Sequence, residues 1–171
     1  MKFETSHTRR ANERVKTAVV SAEEQMRRVH EAVARRAYQI FETHKGADSQ
    51  ESEDWVRAES EVLHPFCGGR MPINENLWLG TDPSIFKEGT IELWVAPHQL
   101  TVSGEPRVGK EGVPLGARAA PHSEKVYEII DLREEVDPSR VTAEVRGSSL
   151  EVVLGKASHE QEAEQSLKAA A

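Results

Sequence analysis

The sequence predicts an α+β fold in which a helical hairpin precedes an all-β sandwich, and three observations carry that prediction. Apolar residues between Met26 and Leu63 recur at three- and four-residue spacing, the period of a helix face. From Leu77 onward they come in short alternating runs with no helical pattern between them, as half-buried antiparallel strands require. A Pro/Gly stretch, Pro65 to Gly69, separates the two regimes.

In chain order, residues 1–20 read as a polar segment outside the folded body, 21–64 as the hairpin and 65–75 as a linker. Residues 76–157 are the sandwich and 158–171 a polar tail. Ser21-Ala-Glu-Glu24 has the form of a capping box, with Ser21 as N-cap and Glu24 reaching back to it. Behind it Met26, Val29, Val33, Ala37 and Ile40/Phe41 line one face. Gly46 suits a left-handed helix end, and His44 and Lys45 stand where the negative end of a helix favours cations. Asp48 or Ser49 is placed to cap a second helix whose apolar face is Trp55, Val56, Val62 and Leu63, and Pro65 stops it. A hairpin of about forty residues is near the lower limit for holding its own core. Its stripe therefore needs a cover from the rest of the chain, a second copy or a partner.

Leu77-Trp-Leu79 opens the β region. Ile91, Leu93 and Val95 alternate with Glu92, Trp94 and Ala96, pause at Pro97-His98, and the pattern resumes at Leu100 and Val102. Proline cannot donate to a ladder, so the pause reads as the turn of a β-hairpin. Runs at 126–132, 141–145 and 150–154 follow, separated by the turn formers Asp137-Pro138 and Gly147-Ser-Ser. Residues 106–125 are Gly/Pro/Ala-rich and aperiodic, and read as a long functional or mobile loop.

The 171 residues carry a net charge of −7, and no region is basic, which argues against a nucleic-acid partner. The single cysteine, Cys67, excludes an internal disulfide and suits a reducing compartment. The N-terminus lacks the apolar core of a signal peptide, and no run approaches the ~20 apolar residues of a membrane helix. The expected location is the cytoplasm, with no membrane contact.

TDPSIFKEGTIELWVAPHQLTVSGEP (81–106) followed by VYEIIDLREEVDPSRVTAEVRGSSLEVVLGKA (126–157) resembles the alpha-crystallin domain of small heat-shock proteins. Asp82, Phe86 and Ile91 fall in step with that family's first turn and strand, and Leu100 to Glu105 match its Leu-Thr-Val-Ser-Gly-Glu segment. The resemblance spans residues 80–157 and implies an immunoglobulin-like sandwich of alpha-crystallin type. It departs from the family at Pro83-Ser84, at Gly147-Ser148-Ser149-Leu150, and at Glu128, where the family usually carries an arginine near the dimer interface. The tail lacks the Ile-x-Ile motif that builds large oligomers, so the resemblance implies a homodimer or small oligomer, not a cage. Residues 35–63, through Arg36-Ala37-Tyr38 and Asp54-Trp55 to Ala58-Glu59, are similar to a short bacterial helical domain of unknown function.

No residue set makes a convincing catalytic or metal site. His64 and Cys67 sit in a Pro/Gly linker with no identifiable third group to orient them, and two such residues fall short of a zinc set. Gly109-Lys110-Glu111-Gly112 has the wrong order for a phosphate loop. No enzyme activity and no cofactor are expected. Candidate binding residues come from the apolar surface instead. Trp94 points away from Leu93 and Val95 and needs a cover or a partner. Trp55 and Tyr38 read either as hairpin core or as a docking face. The resemblance further implies a groove for apolar peptides lined by Leu93, Val95, Val141 and Val145. The expected function is that of an ATP-independent holdase whose partners are non-native proteins. The other reading is a non-chaperone interaction or scaffold module.

Overall fold

The computed structural model describes residues 13–44, 51–108 and 124–157. The expected helix end at Gly46, the caps at Asp48 and Ser49, most of the loop 106–125 and the tail 158–171 lie outside them. Helices α1 (Ala22–His44) and α2 (Glu51–Val62) form the hairpin, and the strands from Asn76 to Lys156 the body of the sandwich, as the periodicities predict.

Two five-stranded sheets face each other. The first runs β1 (Glu13–Arg14), β9 (Val136–Arg146), β10 (Ser149–Lys156), β5 (Asn76–Thr81), β4 (Gly69–Ile73). The second runs β2 (Lys16–Val19), β6 (Glu92–Ala96), β7 (Gln99–Gly104), β8 (Val126–Asp131), β3 (Leu63–His64). The period-two pattern supplies one apolar layer from each sheet. Leu77, Leu79, Leu93, Val95, Leu100, Val102, Leu150, Val152 and Leu154 are buried between them, with Phe86 closing one end.

The β6–β7 turn is the two-residue Pro97-His98, since Ala96 pairs with Gln99. Its carbonyls are not left to solvent: Val136 N–H donates to Pro97 O at 2.9 Å and Leu132 N–H to His98 O at 2.8 Å. The β9–β10 turn, Gly147-Ser148, has Gly147 at φ +60°, the value a type II′ turn needs in its first central position.

Four expectations are corrected. Residues 13–19, read as part of a polar segment outside the fold, supply β1 and β2, and residues 69–73, read as linker, supply β4. Neither segment alternates, because each lies on a sheet edge, where residues 16–19 and 69–73 are exposed and the backbone ladder holds the strand. Asp137-Pro138 does not end a strand: β9 runs through it, and Asp137 accepts from the backbone N–H and hydroxyl of Ser139. The capping box is half formed. Glu24 N–H donates to Ser21 Oγ at 3.2 Å, but the Glu24 carboxylate turns to Arg27 and Arg28, which hold its pKa down at about 2.

Candidate functional site

A second apolar cluster lies outside the sandwich, between the hairpin and the outer face of the sheet containing β6 to β8. Strand alternation sends Trp94, Tyr127 and Ile129 to that outer face while Leu93, Val95, Val126 and Ile130 point inward. The hairpin covers it with Val29, Val33, Ile40, Ala58 and Val62, and Trp55 packs at its rim. Trp94 is thus only 7% exposed. Its ring lies 5.8 Å from Tyr127, and the Arg28 guanidinium stacks 5.0 Å above it. The aromatic that alternation left without a partner is covered by the chain itself.

Polar anchors hold this cover. Gln25 is fully buried: its Nε2 donates to Val20 O at 2.7 Å, and its Oε1 accepts from Thr101 Oγ1 at 2.8 Å. Arg36 and Glu61 form a buried ion pair at 2.6 Å that joins the two helices, with Arg57 on the other carboxylate oxygen at 3.1 Å. Neither anchor was legible in the sequence. A glutamine or arginine on a helix reads as solvent-facing, and only its spacing with Val29 and Val33 (four and eight from Gln25) placed it on the buried stripe. The interface is not filled. A half-open cleft of about 450 Å³ remains between α1 and the sheet, lined by Arg28, Arg35, Gln39, Trp94, Lys125 and Tyr127. Burial pushes the Tyr127 phenol up, with Arg35 acting against it.

Not all expected apolar residues of the hairpin join this cluster. Tyr38 is 61% exposed, which corrects its reading as hairpin core. Met26, Phe41 and Val56 are exposed with it. The stripe that actually docks is displaced around α1 toward Gln25, Val29, Val33, Arg36 and Ile40, because the sheet lies on that side.

The groove residues Leu93, Val95, Val141 and Val145 do come together, but not as an open groove. Leu93 and Val95 are core, and Val141 and Val145 are half-buried against it. The space between the edges of β6 and β9 is bridged by residues 13–19. Glu13 and Arg14 pair with Val145 and Glu144, Val15 N–H donates to Ala143 O at 3.2 Å, and Lys16 to Val19 run parallel to Glu92 to Val95. This one segment caps an edge of each sheet. A cleft of about 560 Å³ remains beside it, lined by Arg14, Val15, Thr17, Val141, Ala143 and Glu144. At the opposite edge of the second sheet, Leu63 and His64 pair in parallel with Tyr127 and Glu128. The hairpin is therefore tied to the same sheet at both ends.

Cys67 is exposed, its Sγ 3.4 Å from Pro65 O. Among the described residues no group of three or more His, Cys, Asp or Glu could hold a metal ion, and no helix is long and apolar enough to cross a membrane.

Residues 28–64 match the model of a protein family of unknown function, DUF2934. No curated protein matches the chain. Among solved structures, heat shock protein 16.0 from Schizosaccharomyces pombe is similar over 54% of this chain and 87% of its own, at 15% identity and a TM-score of 0.43. A mutant of hsp14.1 from Sulfolobus solfatataricus P2 covers 76% of this chain and 98% of its own, at 16% identity and a TM-score of 0.44. A small heat-shock protein from Xylella fastidiosa covers 53% and 84%, at 16% identity and a TM-score of 0.40. At such identities the similarity concerns the fold alone.

Proposed function

We propose that this chain is an ATP-independent holdase that binds exposed apolar segments of unfolding proteins and slows their aggregation. The observation that supports it is the covered aromatic face. Trp94, Tyr127 and Ile129 form an apolar strip on the sheet, and what hides it is a separate helical hairpin across an incompletely filled interface. Lifting the hairpin would offer both that strip and the hairpin's own Val29, Val33, Ile40 and Val62 to a non-native chain. Binding a non-native chain competes with its self-association by mass action, so neither nucleotide nor catalytic residue is required. No cofactor and no reaction are assigned to the chain, and a cytoplasmic location suits this role.

Light scattering of two unrelated heat-labile proteins, warmed with and without the full chain in the absence of ATP, tests the proposal. Suppression of both at near-stoichiometric ratios is expected. Suppression of neither by folded, soluble protein would overturn it. A second reading, a scaffold module that recognises one folded partner through the hairpin, is favoured by the exposed Tyr38, Phe41 and Val56 on the hairpin's outer side. It predicts a fixed stoichiometry with one partner and no protection of unrelated proteins.

A further inference from the structure

Glu128 is a carboxyl where the sandwich needs an apolar side chain. On β8 it shares the inward face with Val126 and Ile130, and it is only 4% exposed. Its surroundings offer little to an ionised group. Thr81 Oγ1, at the end of β5 on the opposite sheet, stands 3.4 Å from Glu128 Oε2, a long hydrogen bond. Asp82, the next residue along, adds a like charge. Across the ladder, β7 presents the apolar Val102 in register. On the other side β3 places His64 in register. Arg70 of β4 is directed elsewhere. Its Nη1 donates to the Asp131 carbonyl at 3.0 Å, and its guanidinium lies 5.9 Å over the Phe66 ring.

On the sheet-edge side Glu128 is flanked by β3, a strand of only two residues, Leu63 and His64, after which Phe66 packs against the core. That strand is also the foot of the hairpin, following α2 without a break. Because β3 is the edge of its sheet, its release is the smallest change of the ladder that would bring water toward Glu128.

We propose that Glu128 is a proton-controlled latch. Protonated, it closes the seam between the sheets and lets β3 dock on β8. Ionised, it draws water into the seam and releases Leu63–His64, and with them the foot of the helical hairpin. Burial pushes the Glu128 carboxyl up to about 7, its Thr81 hydrogen bond pulling the other way and Asp82 adding to the rise. The direction follows. A carboxyl raised in the folded form and near 4.5 when hydrated favours the closed form fully below that lower value, and the preference is lost as pH climbs through about 7. The latch closes in mild acid and loosens in mild base.

Amide hydrogen exchange on the full chain between pH 6 and 8, corrected for the intrinsic pH dependence of exchange, reads the latch directly. If opening fully hydrates Glu128, those two pKa values predict an opening equilibrium at Leu63, His64 and the facing β8 amides that rises about tenfold over that range. The sheet interior at Leu93 and Leu100 stays unchanged. Glu128→Gln, nearly isosteric and unable to ionise, abolishes the pH step. His64→Gln leaves it in place, because the step belongs to the carboxyl. A flat wild-type profile, or a step that survives Glu128→Gln and disappears with His64→Gln, overturns the proposal. Should Glu128→Gln fail to fold, the infrared band of a protonated carboxylic acid in the wild type at pH 6, lost by pH 8 in parallel with the exchange, decides the matter. Its absence at pH 6 refutes the latch. The readout is local opening, independent of whether the chain protects clients.

Discussion

Replacing Gln25 with leucine removes the polar anchor between the hairpin and the sheet while leaving an apolar side chain of similar size in its place. The magnitude follows from what is left behind. Thr101 is fully buried, and its hydroxyl loses its acceptor 2.8 Å away, a loss of about 1–3 kcal/mol for an unsatisfied buried group. The Val20 carbonyl, which received Gln25 Nε2 at 2.7 Å, is half-buried and near the start of α1, so water replaces its partner at small cost. A net loss of about 2 kcal/mol is expected. Thr101→Val alone leaves Gln25 Oε1 unpaired and costs about 1–2 kcal/mol, whereas the double variant removes both members of the pair and costs less than the sum. Urea unfolding followed by tryptophan emission measures it, with a midpoint shift of about 1 M for the Gln25→Leu variant at a typical slope. The hairpin's cover over Trp94 makes emission sensitive to undocking. Costs that add to within about 0.5 kcal/mol would refute the reasoning, since they would mean that each group finds water when its partner is gone.

Glu61→Ala is expected to cost about 3–5 kcal/mol, because Arg36 is left as an uncompensated buried charge. Arg36→Met costs less, since Arg57 still reaches the Glu61 carboxylate; the order of the two urea midpoints checks this. Val15→Pro removes the hydrogen bond to Ala143 O and should release residues 13–19 at about 1 kcal/mol, read as faster tryptic cleavage after Lys16 with unchanged circular dichroism. Gly147→Ala meets no atom within 4 Å, so its cost of about 1–2 kcal/mol is purely that of holding alanine at φ +60°, measurable as a lowered Tm.

The order of elements and the inner layer of the sandwich were legible because both arise from local alternation. Leu93, Val95, Leu100 and Val102 declare their face by period two, and the helices by spacing and by Ser21. The edges were not. Strands 13–19 and 63–64 hold their places through backbone ladders to residues far along the chain, and 69–73 through a hairpin ladder to 76–80; their side chains carry no pattern for a local reading to find. Alternation showed that Trp94 needed a cover, but which surface supplied it depended on where the hairpin landed.

The sequence by itself determined a helical pair followed by a β-sandwich, a net charge of −7, and an apolar surplus that something had to bury. Only the tertiary structure decided that the hairpin buries it, that residues 13–19 bridge the two sheets where an open groove was expected, and that Glu128 lies in the seam under Leu63–His64. Burial and strand pairing are relations between residues distant in the chain. A polar side chain such as Gln25, Arg36 or Glu128 acquires its role from the partners that folding brings to it.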